Sequence, residues 1–280
     1  MKMIYEAEKD GTTIGDEKIT SLAHGDFSCL AEKYSKFRPG YSKQVLRAMI
    51  SQIGRPPSSL KFVDVGAGTG IWTRMVAELE FKNVMAIEPN PEMRRQGEKS
   101  NRKLNISWKQ GSGEKTGLET SSCDFLTMAS SFHWVDYESG VKEFSRVLKK
   151  GAWFGALWNT RYIEDCPILI EIEKHLKVLL PEIKRVSSGN SEFCDGLLKR
   201  LHETDPYDNA IYFEGLHFEN MSPERYLGIW DSVNDIRVQM GQKKFEQFIS
   251  FVKNKVSNLG NIKAFYRTRA WMAQNQKNEL

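Results

Sequence analysis

Residues 60–71 read LKFVDVGAGTGI, and this stretch decides the fold. The apolar run Leu60–Val65 predicts a short buried strand, and a helix is predicted to begin at Ile71. Three glycines occupy the turn between them: Gly66, Gly68 and Gly70. Glycine lets the backbone turn sharply and lets a ligand approach it without a Cβ in the way. A strand, a glycine-rich turn and a helix in direct succession predict the first ligand-binding loop of an α/β sheet.

The spacing of these glycines separates two cofactor classes. A dinucleotide loop has the spacing GxGxxG, whereas this loop has GxGxG. Asp64, two residues before the first glycine, would repel a pyrophosphate but suits the amino group of a methionine moiety. Glu88, 18 residues after Gly70, can accept both hydroxyls of a ribose in either class. These features favour S-adenosylmethionine (SAM) as the cofactor, and an NAD-dependent oxidoreductase stays as an alternative.

Strands and helices alternate on both sides of this loop. Ser42 is predicted to cap a helix upstream. Further strands are predicted at Val84–Ile87, Leu104–Trp108, Phe125–Ala129 and Trp153–Trp158. Helices are predicted from Pro91 and over Val141–Leu148, the latter ended by Gly151. The alternation predicts an α/β fold, a Rossmann-like, doubly wound and mostly parallel sheet of seven strands.

After strand five the pattern changes. A helical insertion over residues 160–208 is expected to form a lid over the substrate. The remaining elements are predicted as a strand at Ile211–Phe213, helices at Pro223–Trp230 and Phe245–Val256, and a final strand at Ile262–Trp271. We expect a single domain over residues 1–280, in which residues 1–25 form a flexible arm.

Composition narrows the function classes. The 280 residues carry a net charge of +4, which gives no reason to expect a nucleic-acid partner. No run approaches the roughly 18 apolar residues of a membrane-spanning helix, and the N-terminus lacks the apolar run of a secretory signal. The four cysteines and five histidines are scattered, so no metal site is expected. We expect a cytoplasmic monomer or homodimer that acts on a small molecule.

The sequence resembles the class I SAM-dependent methyltransferases, well over residues 30–160 and loosely elsewhere. The resemblance implies that Glu88 holds the ribose and that Met93, in the segment that starts at Pro89, lies against the adenine. In the segment QGSGE (110–114), Ser112 stands where the family often has Asp, and Gly113 follows it.

Two further segments resemble the trans-aconitate methyltransferase-like, or type 11, branch of that class. They are YSKFRPGY (34–41) and SFHWVD (131–136). In that branch both flank the methyl-transfer site, which implies that Tyr34 and Arg38 bind the cofactor. Arg38 would hold the carboxylate of the methionine moiety or of a substrate. We also expect Ala129 and Ser130, at the end of strand four, to bind the cofactor.

His133 is the candidate catalytic residue, as a general base with an ordinary pKa near ~6.5. A structural histidine that shapes its loop is the alternative. Trp134, Trp158 and Arg161 are candidate substrate-binding residues, although aromatic side chains more often fill a core. The expected reaction is in-line methyl transfer to an oxygen or nitrogen of a small molecule, and a carboxylate acceptor would need no base. A SAM-binding protein without catalysis is the other alternative.

Overall fold

A computed structural model describes residues 30–184, 189 and 191–277. The expected arm at residues 1–25 lies outside the described residues. The strands are β1 (Lys61–Val65), β2 (Asn83–Ile87), β3 (Ile106–Lys109), β4 (Cys123–Ala129), β5 (Leu148–Arg161), β6 (Tyr207–Met221) and β7 (Ile262–Asn275). The helices are α1 (Ala31–Phe37), α2 (Lys43–Ile53), α3 (Ile71–Ala77), α4 (Pro91–Ser100), α5 (Tyr137–Val147), α6 (Pro167–Leu179), α7 (Leu197–Glu203), α8 (Pro223–Asp231) and α9 (Asn234–Val256).

The seven strands form one sheet in the order β3-β2-β1-β4-β5-β7-β6. The first five strands are parallel, whereas β7 runs antiparallel to both β5 and β6. The predicted α/β class, the mostly parallel seven-stranded sheet and the helical segment after strand five are therefore confirmed. The chain order reverses between β1 and β4, and ligands bind at such a switch point in open α/β sheets.

Helices cover both faces of the sheet because the strand side chains alternate between them. Val63 and Val65 of β1 pack in a core with α5 and α7, while Phe62 packs in a second core with α2 and α3. Ser42 caps α2 as predicted, since its Oγ accepts a hydrogen bond from Val45 N at 3.4 Å.

A third core lies beyond the sheet. It joins α6, α8 and α9 to the C-terminal end of β6 and the N-terminal end of β7. Met221, Ile262 and Tyr266 are buried there. We call this group of three helices and two strand ends the cap. Both Trp230 of α8 and Phe248 of α9 are fully buried inside it.

Several element boundaries differ from the predictions. Helix α5 ends at Val147, and Gly151 lies within β5, at φ 74°, where the pairing with β4 is irregular. Strand β6 has 15 residues rather than the three of Ile211–Phe213, because one face of this edge strand is exposed and its polar residues hide the pattern. Helix α9 begins at Asn234, upstream of the predicted Phe245, with a kink at Gly241.

Candidate active site

A cavity of about 460 Å³ opens at the carboxyl ends of β1, β2 and β4, beside the switch point. It is lined by eleven of the predicted cofactor residues and one predicted substrate residue: Tyr34, Arg38, Gly66, Gly68, Glu88, Pro89, Met93, Ser112, Gly113, Ala129, Ser130 and Trp134. Five predicted residues are not part of its lining: Asp64, Gly70, His133, Trp158 and Arg161.

The glycine turn forms the floor of the cavity. Gly66 and Gly68 have φ values of 66° and 58°, which L side chains rarely adopt. A Cβ on Gly66 would come within 2.7 Å of Ser131 Cβ, whereas one on Gly68 would meet only the Met93 Cε, at 3.4 Å. Gly70 faces away from the cavity, toward Asn101 and Trp108. The first two glycines shape the ligand surface, and the third lets α3 pack closely on its neighbours.

Glu88 links this turn to the next strand. Its side chain is buried, and its two carboxylate oxygens accept hydrogen bonds from Gly68 N at 2.7 Å and from Asn90 N at 2.9 Å. Burial raises the pKa of Glu88, and the two backbone hydrogen bonds oppose that shift. Each oxygen keeps acceptor capacity on the cavity side. A pair of ribose hydroxyls fits this fixed carboxylate.

The residues predicted to contact the adenine lie in α4 and in the loop after β3. Asn90 caps α4, because its side chain accepts hydrogen bonds from Glu92 N and Met93 N, and this cap places the Met93 side chain against the floor. Ser112 and Gly113 also line the cavity. Gly113 is required here, since a Cβ would come within 2.4 Å of Val135 Cγ2.

Asp64 lies beneath the turn rather than in the cavity. Its exposed fraction is 0%, and both oxygens are engaged: Thr73 Oγ1 donates to Oδ2 at 2.6 Å and Thr127 Oγ1 to Oδ1 at 3.2 Å. Burial is the main reason why its pKa rises to about 7. The cavity surface therefore offers no Asp64 atom for the predicted contact with the methionine amino group. Its visible role is to tie α3 and β4 to β1.

Tyr34 and Arg38 come from α1 and the residues that follow it. The Arg38 guanidinium donates to the Ser232 hydroxyl and to the Ser232 carbonyl, each at 3.1 Å. It also lies 4.8 Å from the centre of the Tyr34 ring. These contacts fix the cation at the edge of the cavity.

Tyr41 contributes to the cavity although sequence analysis did not single it out. Its hydroxyl is 2.9 Å from Ser130 Oγ, and Ser130 adopts a φ of 56°. The signal was present, because Tyr41 is the last residue of the YSKFRPGY segment. Its hydroxyl lies at the end of β4, beside the residues expected to face the transferred methyl group.

His133 lies in the single 3₁₀ turn Phe132–Trp134 that follows β4. Trp158 Nε1 donates a hydrogen bond to His133 Nδ1 at 3.2 Å, so the proton of the neutral ring is on Nε2. Burial lowers the pKa of His133 to about 4, and the charge of Asp235 opposes that shift. The pKa near ~6.5 expected from the sequence is therefore corrected.

The two other predicted substrate residues near this turn differ in exposure. Trp158 is 1% exposed, in the core, and it orients His133. Trp134 is 41% exposed and lines the cavity, with its ring centre 4.5 Å from that of His133. Arg161, the last residue of β5, packs against the cap, with its guanidinium 3.9 Å from the centre of the Trp230 ring.

The cavity wall that the sequence did not predict comes from the start of α9. Asn234 and Asp235 line the cavity and are 1% and 4% exposed. Among the described residues of the expected lid, 160–208, none lines the cavity. Asn159, at the end of β5, is also part of the lining, and its side chain donates to Gly40 O at 2.8 Å. No sequence motif predicted that Asn234 or Asp235 would line the cavity, because their position depends on how the cap packs against the sheet.

Comparison with known proteins identifies the fold. Residues 63–156 match the family model of a methyltransferase domain, Methyltransf_11. An uncharacterized methyltransferase of Mycobacterium tuberculosis is 30% identical over 140 residues, which is 48% of this chain and 52% of that protein. Residues 63–156 are therefore similar to a methyltransferase domain. The match spans only about half the length of the mycobacterial relative.

Two solved structures show the same fold as this methyltransferase domain. One, from Anaeromyxobacter dehalogenans, is described as a type II methyltransferase; it is 22% identical, covers 85% of this chain and 97% of its own, and has a TM-score of 0.58. The other is phosphoethanolamine N-methyltransferase 2 of Haemonchus contortus, in complex with phosphomonomethylethanolamine and S-adenosylhomocysteine (SAH). It is 13% identical, covers 89% of this chain and 58% of its own, and has a TM-score of 0.50.

No group of three or more His, Cys, Asp or Glu side chains within 30–184, 189 and 191–277 is arranged to hold a metal ion. No helix in that part of the chain is both long enough and apolar enough to cross a membrane.

Proposed function

We propose that this protein transfers the methyl group of SAM to an oxygen or nitrogen nucleophile of a small molecule. The observation that carries the proposal is Glu88, a buried carboxylate fixed by Gly68 N and Asn90 N at the cavity floor. Its remaining lone pairs suit the ribose hydroxyls. The floor beside it is exposed backbone, where a ligand meets no Cβ.

The size and composition of the cavity support a small acceptor. A volume of about 460 Å³ is in the usual range for one cofactor with a small partner molecule. Trp134, Asn159 and Asn234 line the cavity, and we propose that they meet the acceptor. An aromatic ring and amide groups at such a wall orient a small molecule through one apolar face and a few hydrogen bonds.

SAM supplies a methyl group that is already activated by its sulfonium. The protein then has to align the acceptor with that methyl group and exclude water. His133 lies outside the cavity lining, so it is proposed to act in this alignment as a positioning residue, through its ring contact with Trp134. A base role at Nδ1 would first have to break the hydrogen bond from Trp158.

The proposal is tested by titrating the purified protein with SAM, SAH and NADH by calorimetry. We expect SAM and SAH to bind with micromolar dissociation constants, which is about −8 kcal/mol, and NADH not to bind. A methyl-transfer assay against a panel of small metabolites then follows, with SAH release as the readout. Absence of SAM binding would refute the proposal. Tight SAM binding without SAH release on any acceptor would instead favour a SAM-binding protein without catalysis.

A further inference from the structure

Strand β6 forms one edge of the sheet, and its backbone is paired on one side only. Over Ile211–Met221 it pairs with β7 residue by residue, without a bulge. Apart from these bonds to β7, no backbone hydrogen bond joins that stretch to another of the described residues. The N–H and C=O groups on the outer side of such a strand are a template for pairing with a further strand.

The two edges of the sheet differ in how they are protected. The opposite edge, β3, has four residues and ends in Lys109. Short strands and lysines are devices that keep an edge from pairing with another chain. Strand β6 has 15 residues and contains neither Lys nor Pro. Its irregular pairing, with Asn209 at φ 51°, is confined to the first few residues, so the stretch from Ile211 onward is regular and unprotected.

Two exposed apolar side chains lie on this stretch. Leu216 is 54% and Phe218 is 50% exposed, and their spacing places both on the same face of the strand. On that face, Lys263 of β7 lies 4.1 Å from the centre of the Phe218 ring. Gly215 lies on the other face, against α2. Apolar side chains exposed beside an unpaired edge favour association with a partner.

We propose that β6 pairs in the antiparallel direction with β6 of a second copy of this chain, about a twofold axis at His217. The two sheets then become continuous, and the same surface is buried on both copies. Such an interface closes on itself, so it leaves neither β6 edge free for a third copy. The inference goes beyond the proposed methyl transfer and does not depend on it.

The register follows from which side chains are complementary. With the axis at His217, Leu216 of each copy lies opposite Phe218 of the other, so four apolar side chains meet. Glu214 lies opposite Asn220, and no two carboxylates face each other. With the axis at Leu216, Glu214 would instead lie opposite Phe218. Apolar pairs stabilise an antiparallel ladder and like charges destabilise it, which favours the axis at His217.

The paired length is sufficient for a specific interface. About nine residues of each strand, Phe213–Met221, overlap in this register, and every second opposite pair exchanges two hydrogen bonds. The ladder therefore gains about 8–10 hydrogen bonds, close to the number in a typical protein interface. At one bond per roughly 100–200 Å², the buried area is on the order of 1,000 Å², near the lower limit for specific association. We therefore expect a reversible dimer.

Analytical ultracentrifugation of the full chain, from about 0.5 to 100 µM, tests the interface. We expect a monomer–dimer equilibrium with a dissociation constant in the micromolar range. Leu216→Lys combined with Phe218→Lys would place lysines opposite each other and should raise that constant about a hundredfold. Leu216→Lys combined with Phe218→Glu would place opposite charges across the axis and should keep the constant within about tenfold of the wild type.

The control is Val178→Lys combined with Leu259→Lys, two apolar residues that are 75% and 43% exposed outside β6. It should leave the dissociation constant unchanged. A wild type that stays monomeric at the highest concentration would overturn the inference. A dimer that survives the two lysines in β6, or is lost in the control, would also overturn it, as would assembly beyond the dimer.

Hydrogen exchange of the wild type gives a test that needs no variant. Amides of Phe213–Met221 should exchange more slowly at about 100 µM than at about 0.5 µM, because the second copy protects those on the outer side. Amides of the other edge, Ile106–Lys109, should exchange equally at both concentrations. Equal exchange of Phe213–Met221 at the two concentrations would overturn the inference even if the variants did not fold.

Discussion

Asp64 provides a quantitative test of the structure at the switch point. Its carboxyl group is 0% exposed and is held by the hydroxyls of Thr73 and Thr127. Burial disfavours the charged form and raises the pKa of Asp64 from its ordinary value of 3.8 to about 7. The substitution Asp64→Asn keeps the shape of the side chain and removes the charge. The two threonine hydroxyls can each accept as well as donate, so they can rotate to pair with the amide.

The magnitude follows from the difference between the folded and unfolded pKa values. A shift of about three pKa units corresponds to ~4 kcal/mol in the free energy of unfolding. Because the folded-state pKa is raised, the stability associated with protonated Asp64 is fully present below about pH 4. It is lost as the pH rises toward 7. Asp64→Asn does not lose this stability, so it should gain up to ~4 kcal/mol relative to the wild type between pH 4 and pH 8.

The assay is urea denaturation of both proteins without cofactor, at steps of one pH unit from 4.5 to 8.5, followed by tryptophan fluorescence. The difference in the free energy of unfolding is plotted against pH. Asp136→Asn serves as control, since this carboxylate caps α5 at the surface and its pKa is lowered, so its difference curve should be flat above pH 5. A flat curve for Asp64→Asn as well would refute the placement of Asp64 as a buried carboxyl group.

Three further predictions concern the cofactor side and His133. Glu88→Gln should weaken SAM binding about 10–100-fold by calorimetry, because an amide NH₂ would face one of the backbone N–H donors that the carboxylate now satisfies; unchanged affinity would move the ribose site elsewhere. Gly97→Ala should cost about 1–3 kcal/mol in chemical denaturation, since its Cβ would come within 2.2 Å of the Trp108 ring, and an unchanged midpoint would contradict that packing. The ¹³C shift of the His133 ring should stay constant from pH 5.5 to 9, as expected for a pKa of about 4, and a titration near pH 6.5 would show an exposed ring.

Much of the fold could be predicted because the signals are contiguous. The apolar run before Gly66 and the glycine spacing define β1 and its turn within a dozen residues, and the parallel strands β2, β4 and β5 each contain an apolar run. Strand β6 was underestimated because it forms the edge of the sheet. One of its faces is exposed, with Leu216 and Phe218 half exposed among polar neighbours. A strand with one solvated face carries a weaker apolar signal than a strand buried on both faces.

Several residues of the cavity lining could be predicted from the sequence for a similar reason. Glu88, Met93 and Gly113 belong to short motifs that the sequence displays, and all three line the cavity. The direction in which the Asp64 side chain points could not be predicted from the sequence. It depends on Thr127 of the neighbouring strand, which pairs with Asp64 across the sheet, 63 residues away in the chain.

The sequence by itself determined the class of fold, the glycine turn and the acid that follows it, because local periodicity and backbone freedom are properties of adjacent residues. Only the tertiary structure decided which side chains from distant segments meet around the cavity. The protonation state of His133 depends on Trp158 and on burial. Asp235 lines the cavity only because the folded cap places the start of α9 beside the sheet. Burial and charge at a point in space are set by segments far apart in the chain, and no local pattern records how those segments meet.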